Sequence, residues 1–558
     1  MKLLAPALFA FALSASAASF TISPHHFTLP DGFTIERAAS SSLAPRPMEA
    51  DFDELGRLYV TDSSGSNDKV EKQLADKPHR VLRLEDTDAD GVFDKQVVFA
   101  DKMMFPEGCL WFDGSLYVAA PPSIWKLTDA DGDGVADQRE EWFKGKTLTG
   151  CANDLHGPYL GPDGWIYWCK GAFAKQTYTL PNGKEFTTRA AHIFRARPDG
   201  TGVEPVMTGG MDNPVGLAWS PEGDLFLSGT FFQNPAGGKR DGLIHVLYGG
   251  VYGKENDVLE GHSRTGDLLP MMTHLGPAAP CGLARYESSV FGGEFQNNLF
   301  VCQFNLHKVS RHVLVPESST FKTLDSDFVV SDNTDFHPTD VLEDADGSLL
   351  IVDTGGWYKL CCPTSQLAKP DVLGAIYRVR RNGAPKVVDP RGLKLAWKDV
   401  PVTNLMTRLE HPQSIIRKQA AHALVKHRGE EAYYAIEHVL RESPSASARL
   451  SAVWAFSQWH SAASLSSLQT ALEDRSETVR RAAMIAWANN AFLGEHEPVL
   501  KILQDGSPSF RRLAAEVIGR DGGGAVPHLL EAAGKVNDRP LEHAIIYALI
   551  QTRQPTPW

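Results

Sequence analysis

A short pattern of hydrophobic and polar positions recurs over the first two thirds of the chain. Each copy begins with a polar or glycine-containing turn and continues into a run of apolar and aromatic residues, which is typical of a buried β-strand. The copies are DELGRLYV (53–60), FDGSLYVA (112–119), GPDGWIYW (161–168), SPEGDLFL (220–227), EFQNNLFV (294–301) and DADGSLLIV (344–352). Copies that recur at a period of about 50 residues predict an all-β, six-bladed β-propeller, since one such blade cannot bury both of its faces alone.

Beyond residue 400 the pattern changes to alanine-rich segments with apolar residues three and four positions apart, which predicts amphipathic helices. The segments IRKQAAHAL, ARLSAVWAF, VRRAAMIAW and FRRLAAEVI align on Arg417, Arg449, Arg480 and Arg511, at a spacing of 31 or 32 residues. This spacing predicts an all-α solenoid of HEAT-like repeats after the propeller. The last unit, at 541–552, has no polar capping repeat behind it, so we expect the solenoid to be incomplete or to bind a protein partner.

The start of the chain has the features of a secretory signal, with Lys2, a short apolar run and the small residues at 15–17. This run is too short to span a membrane, and no later stretch is long enough. We therefore expect an exported protein, periplasmic or at the cell surface, without a transmembrane segment. The predicted boundaries are a signal peptide at 1–17, the six-bladed propeller at 18–380, a linker at 381–400 and the HEAT-like repeats at 401–558.

Amino-acid composition and net charge limit the kinds of ligand and cofactor that this protein is expected to bind. The 558 residues include 48 Gly and 35 Pro, and the formal net charge is -13 without any block or stripe of Lys and Arg. A nucleic-acid partner is therefore excluded, and a small neutral or cationic molecule fits better. Because the seven cysteines are odd in number, at least one has no partner within the chain. The sequence has no C-x-x-C-H motif, so we expect no haem in this chain.

Two segments have the residue spacing of a calcium-binding loop. In DADGDGVADQRE (129–140) oxygen ligands occupy alternate positions around Gly134, whereas DTDADGVFD (86–94) lacks the closing glutamate and has Val97 there. The alternative is a solvated acidic hairpin without metal. We expect both loops to lie away from the axial mouth, the open end of the propeller axis. Calcium bound to these loops would therefore be structural. The predicted calcium ligands are Asp129, Asp131, Asp133, the Val135 carbonyl, Asp137 and Glu140 in one loop, and Asp86, Asp88, Asp90 and Asp94 in the other.

The loops before the innermost strands of a propeller converge at one end of its axis, so their polar residues are the candidates for function. His156 is the candidate base, since the carboxylate of Asp154 can orient the imidazole and raise its basicity. The alternative is that Asn153 and Asp154 form Asx turns and that His156 packs beneath Tyr159. The other polar residues of these loops are Arg46, Glu49, Glu107, Asp212, Asn213, Cys281, His337 and Asp340.

Several segments together resemble a known family. NDLHGPYLGPDGWIYW (153–168), DNPVGLAWSPEGDLF (212–226), YGGVYG (248–253) and FHPTDVLEDADGSLLIVD (336–353), with the signal peptide and the helical repeats, resemble the PVC-type membrane-bound dehydrogenases of planctomycetes and verrucomicrobia. The resemblance covers nearly the whole chain. That family is distantly similar to the soluble quinoprotein glucose and sorbosone dehydrogenases, six-bladed propellers that oxidise sugars with pyrroloquinoline quinone and calcium.

The resemblance implies an oxidoreductase that oxidises a sugar, polyol or other alcohol at the axial mouth and passes electrons to an external acceptor such as a cytochrome c. The family's basic histidine would fall on Asn153, three positions before His156, so His156 as base and Asp154 as its orienting carboxylate remain the expectation from the residues themselves. The residues implied in cofactor binding are Asn153, Asn213, His337 and Asp340. The chain departs from the quinoprotein pattern where cations would hold the quinone. Asp212, His337 and Thr339 replace arginines, and Asn305 lies near the place of a lysine.

Two other functions fit the same pattern. One is a calcium-dependent, lactonase-like hydrolase of the gluconolactonase type, with acidic and amide side chains around an axial ion. The other is a non-enzymatic scaffold that binds glycans or proteins, since propellers and solenoids are both common in interaction proteins. A central pit filled with polar side chains from distant loops would favour an enzyme, and a plug of aliphatic side chains would favour the scaffold.

Overall fold

The computed structural model describes residues 17–145, 148–150, 155–233, 237–356, 369–459, 461–490, 497–521 and 525–553. The strands in these ranges are β1 Ala17–Ile22, β2 His25–Pro30, β3 Phe33–Ala39, β4 Pro47–Phe52, β5 Leu58–Asp62, β6 His79–Glu85, β7 Lys95–Met103, β8 Cys109–Phe112, β9 Ser115–Ala120, β10 Ser123–Thr128, β11 Gln138–Lys144, β12 Leu155–Leu160, β13 Ile166–Lys170, β14 Gln176–Thr179, β15 Glu185–Thr188, β16 Ala191–Ala196, β17 Glu204–Gly209, β18 Asn213–Trp219, β19 Leu225–Thr230, β20 Asp241–Val246, β21 Val251–Tyr252, β22 Thr273–Gly276, β23 Pro280–Arg285, β24 Leu299–Gln303, β25 Lys308–Glu317, β26 Thr320–Ser331, β27 Pro338–Glu343, β28 Leu349–Asp353 and β29 Ala375–Arg381.

The α-helices of the same ranges are α1 Val70–Asp76, α2 Val402–Arg408, α3 Ser414–His427, α4 Glu430–Glu442, α5 Ala446–Ser457, α6 Ala462–Ala471, α7 Glu477–Asn490, α8 Glu497–Asp505, α9 Pro508–Asp521, α10 Val526–Ala533 and α11 Arg539–Arg553. Helix α1 belongs to a propeller loop, and the other ten form the C-terminal region. The change from strands to helices occurs between β29 and α2. The predicted order of an all-β part followed by an all-α part is therefore confirmed.

Six sheets form the blades of a propeller. In chain order they are β4-β5-β6-β7, β8-β9-β10-β11, β12-β13-β16-β17 extended by β21, β18-β19-β20-β22, β23-β24-β25-β26 extended by β2 and β1, and β27-β28-β29-β3. The first strand of each blade contacts the first strand of the next, and β27 returns to contact β4. Strand β3 pairs antiparallel with β29, so an N-terminal strand completes the last blade. The ring is closed, and the predicted six-bladed propeller is confirmed.

The repeated apolar runs of the sequence form the second strand of each blade. Strands β5, β9, β13, β19, β24 and β28 are buried along their whole length. Each is covered on both faces because neighbouring blades pack against it. For example, Tyr59 of blade one stacks on Trp111 of blade two, with ring centroids 4.8 Å apart. Apolar packing between blades therefore stabilises the ring.

The helices of the C-terminal region pack in a regular series. Helices α3, α5, α7, α9 and α11 lie side by side, and each even-numbered helix from α4 to α10 packs against the odd-numbered helix that follows it. Arg417, Arg449 and Arg480 donate to the carbonyl oxygens of His411, Ser443 and Asp474 at 2.6, 2.9 and 2.7 Å. Each of these arginines binds the turn before its own helix, which explains why they recur with the repeat. Membership of the HEAT family stays a prediction.

The helical region lies on the face of the propeller where the repeated turns emerge. Blades two to five contact it through an acidic residue near each turn, and these contacts are Asp113 with Lys426, Asp163 with Asn489, Asp224 with Arg481 and Arg512, and Glu287 with Lys418. Blades one and six instead contact Arg391, in the connector before α2, through the Asp53 carbonyl oxygen and the Asp344 carboxylate. The mouth loops lie at the opposite end of the innermost strands.

Candidate functional site

The innermost strands share an irregularity near the mouth. Register shifts in β4, β12, β18, β23 and β27 mark a bulge, which bends a strand and re-aims its side chains. We call the equivalent residues at this position the axial ring. Read from the strand register, the axial ring consists of Glu49, Gly108, Gly157, Gly216, Gly282 and Asp340.

Glycine at four positions of the axial ring makes room for the two acids. A Cβ atom on Gly108 would lie 2.5 Å from Glu49 Oε2 and would also collide with the Gly157 carbonyl oxygen. A Cβ atom on Gly282 would lie 2.5 Å from Asp340 Oδ1. Any larger residue would displace the carboxyl groups, because a close-packed interior has no spare volume. At this level the axis is therefore occupied by polar side chains from blades one and six.

Glu49 and Asp340 lie where a negative charge is costly. Glu49 is 9% exposed, and burial together with the Asp340 charge raises the pKa of Glu49 well above its ordinary value. Burial also raises the pKa of Asp340 to about 6, although the backbone N–H groups of Ala50 and Val341 donate to its carboxylate at 3.1 and 2.8 Å. Two adjacent buried carboxyls disfavour a double negative charge.

His156 meets a carboxylate that belongs to the neighbouring blade. Its Nδ1 atom lies 3.4 Å from Glu107 Oε2, and the two side chains are 13% and 3% exposed. Glu107 and His156 each precede a glycine of the axial ring, so both lie one residue nearer the mouth. The predicted partner Asp154, and Asn153 with it, lie outside the described residues. The sequence places Glu107 in a mouth loop, but its spacing to His156 does not reveal a contact between blades.

Asn213 begins β18 opposite Thr230, at the mouth end of blade four. The carboxylate of its neighbour Asp212 binds Lys254 Nζ at 2.6 Å. Lys254 and Arg240 both lie over the Phe231 ring, 5.3 and 4.8 Å from its centroid. Blade four therefore carries two cations near the mouth, Arg240 and Lys254. The comparison with the quinoprotein pattern did not reveal them, because it considered only the position of Asp212, where that pattern has an arginine.

His337 is buried in blade six. Its backbone N–H donates to Asp353 at 2.9 Å, its Nδ1 lies 2.6 Å from the Gly355 carbonyl oxygen, and its ring stacks on Phe304 with centroids 4.4 Å apart. Burial lowers the pKa of this histidine, so the neutral imidazole is favoured. His337 thus packs its own mouth loop, whereas Asp340, three residues later, reaches the axial ring.

Both predicted calcium loops bring three carboxylates together. Oxygen atoms of Asp86, Asp88 and Asp90 lie within 4.8 Å of one another, and those of Asp129, Asp131 and Asp133 do the same. The loops join β6 to β7 and β10 to β11, in the outer hairpins of blades one and two, away from the mouth. The remaining predicted ligands lie outside these triads. Asp94 binds Thr87, Asp137 accepts the Ala130 N–H, the Val135 carbonyl belongs to the turn, and Glu140 lies in β11 opposite Lys126.

The same two loops also join neighbouring blades. The backbone N–H of Phe93 donates to the Ala38 carbonyl oxygen in β3 at 2.7 Å, and that of Ala136 donates to the Phe99 carbonyl oxygen in β7 at 2.8 Å. Phe93 and Ala136 occupy the same position in the two loops. Each acidic loop therefore attaches its blade to the outermost strand of the blade before it.

Residues 19–382 match a family described as a domain of unknown function, DUF7133. The chain belongs to this family. No curated protein matches it. Resemblance to the PVC-type dehydrogenases stays a prediction. In the described part of the chain, no helix combines the length and the apolar composition that crossing a membrane requires.

Solved structures similar to the propeller have low identity to it. A putative oxidoreductase (glucose dehydrogenase) from Thermus thermophilus is 18% identical, with a TM-score of 0.42, over 62% of this chain and 100% of its own. The PQQ domain of pyranose dehydrogenase from Coprinopsis cinerea is 12% identical, with a TM-score of 0.44, over 64% of this chain and 98% of its own. A putative gluconolactonase is 14% identical, with a TM-score of 0.37, over 64% and 96%. These values say nothing about the substrate of this chain.

The described residues do not fit pyrroloquinoline quinone well. A quinone with carboxylate groups needs cations, but the axial side chains Glu49, Glu107 and Asp340 are acidic. Of the cations near the mouth, Lys254 and Arg240 are already paired with Asp212 and Asp241, at 2.6 and 2.7 Å, and Arg46 donates to the Pro370 carbonyl oxygen. Charge complementarity therefore favours a neutral or cationic ligand at this mouth.

Proposed function

We propose that the protein is an exported dehydrogenase that oxidises a hydroxyl group of a sugar, polyol or other alcohol at the axial mouth. The contact between His156 Nδ1 and Glu107 Oε2 carries this proposal. A carboxylate 3.4 Å from Nδ1 favours a proton on that nitrogen, which leaves Nε2 basic. Nε2 then removes the hydroxyl proton, and the hydride passes from the carbon to a two-electron acceptor bound beside it.

The partners implied by this reaction are also proposals. The electrons leave through an external acceptor, for which a cytochrome c is the expected class. A protein partner on the helical region would bring that acceptor close to the propeller. Neither proposal depends on the identity of the group that first accepts the hydride.

The test is dye-linked oxidation by the full chain, with calcium present, against a broad panel of sugars and alcohols. Replacement of the base in His156→Ala should lower kcat by about 10²- to 10⁴-fold. Glu107→Gln should retain more activity and shift the pH profile, because the amide keeps a polar oxygen beside Nδ1 but carries no charge. Glu185→Gln, on the exposed hairpin of β14 and β15, is the control. No dye reduction by the unaltered protein with any substrate would refute the proposal.

A lactonase-like hydrolase is the second candidate, and the acidic charge of the axial ring favours it over any quinone-dependent reaction. The same His156–Glu107 pair would activate a water molecule, and such a reaction requires no electron acceptor. Proton release from a panel of lactones distinguishes the two functions. Hydrolysis that depends on His156, without dye reduction, would replace the first proposal by the second.

Calcium is the proposed structural ion of the two acidic loops. Asp86, Asp88 and Asp90 would hold one ion and Asp129, Asp131 and Asp133 another, since grouped carboxylates are the ligands that calcium prefers. A bound ion would neutralise the repulsion within each triad. It would also stiffen the attachment of each loop to the preceding blade.

A further inference from the structure

Two buried histidines lie at the interface between the propeller and the helical region. His245 belongs to β20 of blade four and is 3% exposed, and His543 belongs to α11 and is 1% exposed. His245 Nε2 lies 3.2 Å from the carboxylate of Asp224, which also binds two arginines of the helical region. His543 Nε2 lies 3.0 Å from the Tyr248 carbonyl oxygen of the propeller. Each ring therefore takes part in the docking.

The hydrogen bonds around His543 favour a neutral ring. The Tyr248 carbonyl oxygen can only accept, so Nε2 carries a proton. Nδ1 lies 2.8 Å from Thr265 Oγ1, and Arg539 Nη2 donates to the same oxygen at 2.9 Å. Because a guanidinium can only donate, the hydroxyl proton of Thr265 is available to Nδ1, which accepts it only when it is unprotonated. A neutral imidazole therefore satisfies all of these groups.

The charges around His245 also favour a neutral ring. Arg481 and Arg512 bind the Asp224 carboxylate at 2.8 and 3.0 Å, and Arg512 Nη1 binds Glu516 at 2.6 Å. Two arginines are thus balanced by two carboxylates. A proton on His245 would add a buried positive charge that no further carboxylate of this cluster balances, and such a charge is costly.

The interface beside His245 is not closely packed. A cavity of about 60 Å³ lies between blades three and four and helices α7 and α9. His245, Asp224, Arg512 and Glu516 form part of its wall. A polar space of this size has room for several water molecules. His245 therefore faces a space that can admit water, and with it a proton.

We propose that His245 and His543 form an acid-sensitive latch, which holds α9 and α11 on blade four while both rings are neutral and releases them when both rings take up a proton. Helix α3, at the other end of the helical region, should stay docked. Its His422 lies 3.4 Å from the carboxylate of Asp113, so a proton on that ring would strengthen the contact. The latch does not depend on the proposed reaction at the axial mouth.

The pH range of the opening follows from the surroundings of the two rings. The charged and titratable groups that face them are Asp224, Arg481, Arg512 and Glu516 for His245, and Tyr248, Tyr547, Arg539 and Arg512 for His543. Burial is the largest influence and lowers the pKa of each histidine to about 4, from an ordinary value of about 6.5. The opened form binds more protons between these values, so docking weakens as pH falls from about 6.5 to about 4.

The neighbouring acids would not cause an opening in this range. The pKa of Asp224 lies well below its ordinary value, so its negative charge persists above about pH 4. Burial raises the pKa of Glu516, and protonation of Glu516 therefore favours the docked form as pH falls. An opening between neutral pH and about pH 4.5 would thus come from the histidines.

Hydrogen–deuterium exchange of the full chain at about pH 7 and about pH 4.5, corrected for the intrinsic exchange rates, tests the latch. The protection of α11 and of the segment from β20 to β21 should fall by roughly 10- to 100-fold for each histidine, and that of α3 should not.

Glutamine variants identify the groups that titrate. A glutamine offers a donor and an acceptor, as a neutral imidazole does, but takes up no proton in this range. His245→Gln and His543→Gln should each reduce the loss of protection at acid pH, and the double variant should remove nearly all of it. His438→Gln, on the exposed face of α4, is the control and should respond as the unaltered protein does.

Three outcomes would overturn the proposal: unchanged protection of α11 at about pH 4.5 in the unaltered protein, an equal loss of protection in α3, or the same loss of protection in the double variant as in the unaltered protein. Each protein is compared with itself at the two pH values. A variant that is less stable at neutral pH therefore still gives a decisive result.

Discussion

Asp224 is the most heavily bonded acidic residue at the interface between the propeller and the helical region, so its removal is a severe test of that interface. It is 1% exposed and lies 2.8 Å from Arg481, 3.0 Å from Arg512 and 3.2 Å from His245. Burial alone would raise the pKa of Asp224, but the charges of the two arginines and the histidine bond outweigh it, and the pKa lies well below its ordinary value. Burial lowers the pKa of His245 to about 4, so this histidine is neutral at neutral pH.

Asp224→Ala leaves two buried guanidinium groups without their shared carboxylate. Loss of one partner of a buried ion pair costs about 3–5 kcal/mol in the free energy of unfolding. The matched control is Asp113→Ala, which removes the bond to Lys426 at the same interface. That pair is 43% and 58% exposed, so its loss should cost at most about 1 kcal/mol.

The assay is urea unfolding followed by tryptophan fluorescence, which reports on the propeller and on Trp454 at the interface, and by far-ultraviolet circular dichroism, which the helices dominate. Asp224→Ala should lower both midpoints, and the helices should unfold first because their docking surface is damaged. The destabilisation should grow less as pH falls towards acid, since the unaltered protein then loses the same carboxylate. Equal effects of Asp224→Ala and Asp113→Ala would refute the reasoning that burial sets the strength of these contacts.

Three further predictions follow from the axis and the acidic loops. Gly108→Ala should destabilise the protein by about 1–3 kcal/mol, as overpacking does, because its Cβ meets Glu49 and the Gly157 carbonyl oxygen. Gly293→Ala, which meets nothing within 4 Å, is its control, and equal melting temperatures would contradict the packing argument. Calcium at about 100 times its dissociation constant should stabilise the chain by about 2.7 kcal/mol per site, seen as a chelator-sensitive melting temperature. Asp129→Asn should reduce this response and Asp199→Asn, in the equivalent hairpin of blade three, should not; an equal response in both variants would argue against the loop. Burial raises the pKa of Asp51 to about 7, so the folded protein binds a proton that the unfolded chain releases above about pH 4. Stability should therefore fall as pH rises from about 4 to about 7 and level off above that, and a urea series in which Asp51→Asn keeps the same slope over this range would contradict it.

The architecture could be predicted because it is repeated locally. Each blade has a turn and a second strand that is buried on both faces, and this produces the same short pattern six times, with Leu58 and Leu225 at equivalent places. The helix repeat is visible for the same reason. Arg449 and Arg480 recur because each binds the turn before its own helix.

The site was less predictable because its contacts cross between blades. Glu107 and His156 are 49 positions apart in the chain, and only the closed ring brings them together. The axial ring left a trace in the sequence, since Gly216 and Gly282 both follow a proline by two positions, as Glu49 and Asp340 do. This spacing after proline could not be interpreted from the sequence, because only the bulge in each strand brings these positions to the same axis. Asp154 remains a prediction, because it lies outside the described residues.

The pairing of β3 with β29 has a consequence for how the molecule is made. Phe33–Ala39 is among the first parts of the propeller to be synthesised, yet its partner Ala375–Arg381 comes more than three hundred residues later. Blades can form one after another on the nascent chain, but the circle stays open until this late strand arrives. Until then the early strand has an unpaired edge that can bind another chain. Deletion of Phe33–Ala39 should therefore impair the yield of folded protein far more than its length suggests.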